Sequence, residues 1–153
     1  MKSFEERGYL MPGTDVRFLL VDDDEVDLMA VKRAFRERKV ANPLLVARDG
    51  IEALEMLRGN DVPPQVDKPY IILLDLNMPR MNGIEFLQNL RKDPRHKDAV
   101  VFVLTTSQDE FDISRAYELN VAGYIVKSRL SEQFVDIVTM LDYYWRIVEL
   151  PSS

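Results

Sequence analysis

Short unbroken runs of apolar residues alternate along this chain with longer stretches whose apolar positions recur every three or four residues. The runs cover 17–21, 44–47, 71–74, 99–104 and 122–126. A run without polar alternation fits a strand buried on both faces, as in a parallel sheet. The stretches between them read as helices. From Glu25 to Lys39 the apolar positions are Val26, Leu28, Met29, Val31, Ala34 and Phe35, behind an acidic start that suits a helix N-terminus. Asp49-Gly50 turns the chain into a helix carrying Ile51, Ala53, Leu54, Met56 and Leu57, ended by Gly59-Asn60. Asn82-Gly83 leads into Ile84, Phe86, Leu87 and Leu90, and Asp93-Pro94 closes that element. Asp109 to Leu119 is helix-like but polar, with Phe111, Ile113, Ala116, Tyr117 and Leu119 as its apolar positions. Behind Ser131 as a cap, Glu132 to Val148 runs unbroken towards Pro151. Strand and helix thus alternate five times. The pattern predicts an α/β fold, a doubly wound five-stranded parallel sheet with helices on both faces.

The remaining segments add little core. Residues 1–16 lack periodicity and are expected to be an N-terminal extension, with residues 17–150 forming one domain and no output domain attached. Pro63, Pro64 and Pro69 mark an exposed loop before the third strand. The last helix has more apolar surface than one core can cover. Phe134, Ile137, Val138, Leu141 and Val148 make a core stripe, while Val135, Met140, Tyr143, Tyr144 and Ile147 spread over a second side. Met140, Tyr143, Tyr144 and Ile147 are therefore expected at a two-fold contact between copies, making a homodimer.

Composition narrows the function classes. The chain has 153 residues, a net charge of −6 and a pI near 4.9, which argues against a nucleic-acid partner. It has no cysteine, hence no thiolate chemistry and no cysteine-ligated metal. No apolar run is long enough to span a bilayer and no signal core opens the chain, so no membrane is expected and cytoplasmic residence is the default.

The polar groups of interest all follow a predicted strand directly. Asp22 and Asp23 follow the first, Asp75 the third, Thr105 the fourth and Lys127 the fifth. In open α/β sheets, ligands bind in the crevice at these strand ends. Clustered carboxylates repel and call for a cation, and an oxygen-only donor set suits Mg²⁺. Acids, a divalent metal, a lysine and a hydroxyl describe a phosphoryl-transfer site. Asp75, at the end of the most apolar strand, is its acceptor. Each group also has a plainer reading. Asp22-Asp23-Asp24 could be a helix-start cluster, Thr105-Thr106-Ser107 a cap of the fourth helix, Lys127 a solvated lysine and Tyr124 a half-buried aromatic. His96, among Asp93-Pro94-Arg95 and Lys97-Asp98, is expected to be a solvated loop residue.

Taken together, Leu19-Leu20-Val21-Asp22-Asp23, Leu73-Leu74-Asp75-Leu76-Asn77-Met78-Pro79, Asn82-Gly83, Leu104-Thr105 and Tyr124-Ile125-Val126-Lys127 resemble the receiver domain of two-component response regulators. The resemblance implies a flavodoxin-like sheet with strand order 2-1-3-4-5. It implies that Asp75 is phosphorylated by a sensor histidine kinase. Asp23, Asp75 and the Asn77 carbonyl would ligate Mg²⁺, with Asp22 acting largely through water. Lys127 would pair with the phosphoryl oxygens. Thr105 and Tyr124 would act as switch residues, altering the face made by the fourth helix, fifth strand and fifth helix. The only enzymatic acts expected are self-phosphorylation and self-dephosphorylation. Two positions depart from the family pattern: Ser128 follows Lys127 where proline is usual, so a trans bond and a shifted loop are expected, and Thr106 stands where a smaller residue is common. The Tyr143-Tyr144-Trp145 ending and the Pro-rich loop are similar to small stand-alone regulators paired with phytochrome-type kinases. The phosphodonor expected is such a kinase, or a histidine phosphotransfer protein. Two alternatives stay open: a metal-dependent phosphatase working through an aspartyl-phosphate, and an interaction module that is not phosphorylated.

Overall fold

The structure, a computed structural model, describes residues 16–59, 65–127 and 130–151, the side chains of 130–134 excepted. Its strands are β1 (Arg17–Val21), β2 (Leu44–Ala47), β3 (Tyr70–Leu74), β4 (Val100–Thr105) and β5 (Gly123–Val126). Its helices are α1 (Glu25–Glu37), α2 (Gly50–Arg58), α3 (Gly83–Lys92), α4 (Glu110–Glu118) and α5 (Leu130–Ile147). The strands form one parallel sheet, as the alternating pattern predicts, in the order β2-β1-β3-β4-β5 that the family resemblance implies. Expectations for the N-terminal extension, the Pro63-Pro64 part of the loop, the Lys127–Ser128 bond and the Phe134 side chain lie outside the described residues. Ser131, expected to cap the last helix, falls inside α5, because that helix begins at Leu130.

Alternate side chains of the central strands feed two separate cores, as the two-residue period of a strand requires. Leu19, Val21, Ile72, Leu74, Val101 and Val103 pack with Leu54, Leu57, Phe86, Leu87 and Leu90 of α2 and α3, and with Ala116 of α4. Phe18, Leu20, Ile71, Leu73, Phe102 and Leu104 pack on the other face with Leu28, Val31 and Phe35 of α1 and Val138, Leu141 and Trp145 of α5. β3 is buried at every residue, which is why its sequence carries no polar alternation.

The helix ends are tied down by their own side chains. Asp24 caps α1, Asp49 caps α2, Asn82 caps α3 in a reciprocal pair with Glu85, and Gly59 closes α2 at a left-handed φ of 71°. The cap of α4 is Asp109, which accepts from the Phe111 amide, rather than Thr106 or Ser107. Ser107 instead donates to Asp112.

Burial in the tertiary structure departs from the sequence pattern at three places. His96 is buried at 4 % exposure, not solvated: its Nδ1 lies 2.6 Å from the Tyr70 hydroxyl, and burial pushes its pKa below the usual range. The aromatic partner and the turn that Asp93 builds fold it under the loop despite its charged neighbours. Tyr144, grouped with the outward residues of α5, turns its ring onto Phe102 at 5.2 Å and joins the second core. Val26 and Met29, counted among the apolar positions of α1, are each 61 % exposed, and the buried stripe includes Asp27 instead.

Candidate functional site

Backbone register brings the strand-end side chains together. Val21 pairs with Leu74, so the next residues, Asp22 and Asp75, emerge from adjacent strands. Their amides continue the ladder: Asp75 N donates to Val21 O at 2.9 Å, and Asp22 N to Ala47 O at 3.0 Å. On the other side, Thr105 pairs with Val126 and its carbonyl accepts from the Lys127 amide at 2.7 Å. Asp22, Asp75, Thr105 and Lys127 therefore sit along one edge of the sheet, all buried. Asp23 lies beside them and is exposed.

One carboxylate oxygen from each of Asp22, Asp23 and Asp75 lies within 4.8 Å of the other two. A fully ionised cluster this tight is unfavourable without a counter-charge. Burial pushes Asp22 up to about 7, against the pull of the Asp24 amide and Lys127. Burial also raises Asp75 above the usual carboxylate range, with Lys127 and the Thr105 hydroxyl pulling the other way. Carboxylates held this way fit a divalent cation, and hard oxygen donors with one open side fit Mg²⁺ or Mn²⁺. The open side is a cleft of about 430 Å³ lined by Asp23, Leu76, Asn77, Met78, Pro79 and Asp112, among others.

The Lys127 ammonium is almost wholly enclosed, its side chain 1 % exposed. It donates to Asp22 at 2.9 Å and, over a shorter distance, to Asp27, while Asp75 stands 3.8 Å away. Burial alone would lower the lysine pKa, but Asp27 and Asp22 outweigh it and the net shift is upward. Asp27 went unnoticed in the sequence because a carboxylate inside a helix reads as a solvated face. A signal was present: Asp27 falls on the same helical stripe as Leu28, Val31, Ala34 and Phe35.

Thr105 is fully buried and its hydroxyl accepts from the Ser107 amide at 3.4 Å. Tyr124, half-buried, donates its hydroxyl to the Ser107 carbonyl at 2.9 Å. Both side chains are thus joined to the turn between β4 and α4, and Thr106 is exposed at that turn.

The loop after Asp75 is held from two sides. Arg80, at a left-handed φ of 62°, clamps Asp49 with two hydrogen bonds of 2.7 and 3.1 Å. In the sequence Asp49 has the pattern of a simple turn residue, and only the structure shows it held by Arg80. Gly83 lies so close to the strand end that a Cβ there would meet the Asp75 carbonyl oxygen at 2.6 Å. Of the residues expected at a contact between copies, Tyr143 and Ile147 are 63 % and 74 % exposed and Met140 is partly so, whereas Tyr144 is half-buried within its own chain.

Comparison with known proteins agrees with this geometry. The response regulator receiver domain model matches residues 18–139. Response regulator Rcp1 of Synechocystis is 34% identical over 136 residues, covering 88% of this chain and 92% of that protein. The phosphorylated cyanobacterial phytochrome response regulator RcpA superposes with a TM-score of 0.81 at 35% identity, over 90% of this chain and 99% of that one. The Mn²⁺-bound form of Rcp1 superposes with a TM-score of 0.78 at 34% identity, over 89% and 99%. Receiver domains bind divalent metal, work with sensor histidine kinases and act as phosphoacceptor switches rather than as conventional enzymes. With the five-stranded order, the strand-end acids and this match over most of its length, the chain belongs to the response regulator receiver domain family of two-component signalling.

Proposed function

We propose that Asp75 is the phosphoryl acceptor of this chain and that its donor is a phosphohistidine of a sensor kinase or a histidine phosphotransfer protein. The observation that carries this reading is the grouping of Asp22, Asp23 and Asp75 within 4.8 Å, beside a buried ammonium 3.8 Å from Asp75. An Asp75 carboxylate oxygen attacks phosphorus, and the new O–P bond forms as the P–N bond breaks. The electron pair of that bond stays on the ring nitrogen of the donor, which leaves as neutral imidazole with the proton already on its other nitrogen. Asp23, Asp75 and the Asn77 carbonyl would hold Mg²⁺, with Asp22 acting largely through water. When bound, Mg²⁺ neutralises charge on the acids and on the phosphoryl oxygens. Lys127 donates to a phosphoryl oxygen, and the Thr105 hydroxyl, already beside Asp75, donates to another. A phosphoryl group adds up to two negative charges and three acceptor oxygens. Pulling Thr105 towards it disturbs the turn at Ser107 that Thr105 and Tyr124 share, and so changes the face made by α4, β5 and α5.

The relatives named as phytochrome response regulators support a phytochrome-type kinase as the input. The outward residues Met140, Tyr143 and Ile147 on one face of α5 support a homodimer. The phosphatase reading is weaker here, because Asp24, the one stand-in for a general acid, is engaged as the α1 cap. Incubation with Mg²⁺ and acetyl phosphate, followed by intact mass, tests the assignment. Wild type gains one phosphoryl group and Asp75→Asn gains none; equal labelling of the variant, or fast turnover of many phosphoester equivalents, overturns it.

A further inference from the structure

Asp27 is the carboxylate at this site that a phosphoryl acceptor and its cation leave without a task. It stands on α1, not at a strand end, and it is not one of the three acids whose oxygens surround the cation position. It is 5 % exposed, on a helix stripe otherwise filled by Leu28, Val31, Ala34 and Phe35. A buried carboxylate at a core position is costly unless it is paired, and its pair here is the Lys127 ammonium. That lysine already has Asp22 at 2.9 Å and Asp75 at 3.8 Å. One ammonium among these carboxylates leaves an excess of negative charge, so Asp27 is not needed to neutralise the lysine. What Asp27 changes is where the ammonium sits: nearest α1, and farthest from Asp75.

We propose that Asp27 is a positioning residue acting through Lys127, holding the ammonium back from Asp75 so that the strand-end acids bind a divalent cation more tightly and a phosphoryl group less tightly. The inference rests on the reading of Asp75 as acceptor. With the ammonium held off, the charge of Asp75 remains available to a cation. A phosphoryl group at Asp75 brings new anionic oxygens and draws the ammonium towards them, against the hold of Asp27. One carboxylate thereby couples two binding events in opposite directions.

Asp27→Asn keeps the shape and an acceptor oxygen for Nζ while removing the charge. Two affinities are measured on the full chain: Mg²⁺ by calorimetry on metal-free protein, and beryllium trifluoride at saturating Mg²⁺ by ¹⁹F NMR. The expected result is Mg²⁺ affinity lower by roughly fivefold and beryllium trifluoride affinity higher by roughly the same factor. A pocket that had merely loosened would weaken both. Asp27→Glu restores the charge and brings both values back towards wild type. If Asp27→Asn does not fold, Asp27→Ser is measured in its place. Affinities that fall together, or do not move, overturn the proposal. Asp75→Asn is run alongside: if it binds beryllium trifluoride as wild type does, the acceptor reading fails, and the Asp27 assignment is judged on the Mg²⁺ measurement alone.

Discussion

Replacing Gly83 by alanine adds one methyl group where α3 begins, directly against the backbone that carries Asp75. The new Cβ would lie 2.6 Å from the Asp75 carbonyl oxygen and 2.7 Å from the Leu76 Cα. Ordinary contact begins near 3.4 Å, so the start of α3 and the strand end must part by about 0.8 Å. Backbone cannot swing aside as a side chain can, and the Gly83 amide is itself bonded to the Leu76 carbonyl at 3.0 Å. Overpacking of this kind costs about 3 kcal/mol, and alanine in a helix returns about 1 kcal/mol. The net loss is about 2 kcal/mol, or a fall of roughly 4–8 °C in Tm for a chain of this length. Gly50→Ala is the internal control. Its Cβ also meets something close, at 2.8 Å, but the obstacle is the Met81 side chain, which can rotate away. That variant should stay within about 0.5 kcal/mol of wild type, because the helix gain offsets the repacking. Denaturant unfolding of the three proteins decides the matter. Gly83→Ala as stable as wild type, or Gly50→Ala equally damaged, would refute the claim that α3 is pressed against the strand end that carries Asp75.

Two further outcomes are expected. Asp22 is held at about 7 in the folded chain against an ordinary value of 3.8, so its contribution to stability is full below about 3.8 and is lost as pH rises through 7. In metal-free buffer wild type should therefore lose stability relative to Asp22→Asn over that range, by up to about 1.4 kcal/mol per pH unit, measured by denaturant unfolding; parallel curves for the two proteins would remove the basis for it. The exposed patch of Met140, Tyr143 and Ile147 predicts that Tyr143→Glu shifts a homodimer to monomer in sedimentation velocity. A monomeric wild type would rule the contact out. Tyr143 is the position to change, since Tyr144 is anchored on Phe102 and a charge there would damage the core.

Much of the fold was legible before any coordinates, for a local reason. Burial on both faces of a central strand leaves an unbroken apolar run, and Ile71 to Leu74 could satisfy no other common element so well. The caps were partly legible too: Asn82-Gly83 and Gly59 carry the backbone preferences of helix ends. The turn after β4 was harder, since threonine, serine and aspartate can all cap, and only the packing of α4 selected Asp109. His96 was misread because its charged neighbours said loop, whereas burial there depends on Tyr70, which is 26 residues away in sequence. On α5 the periodicity correctly indicated too much apolar surface, yet it could not say which aromatic would turn inward to meet Phe102.

By itself the sequence determined the alternation of strands and helices, and with it the placing of Asp22, Asp23, Asp75, Thr105 and Lys127 at strand ends, because hydrophobic periodicity is a property of neighbouring residues. Only the tertiary structure decided how Lys127 divides its charge. The ammonium chose Asp27, 100 residues earlier in the chain, over the closer approach to Asp75 that strand order alone would suggest. That choice comes from α1 packing its Asp27 stripe onto the sheet, a distance effect in space that no spacing along the chain encodes.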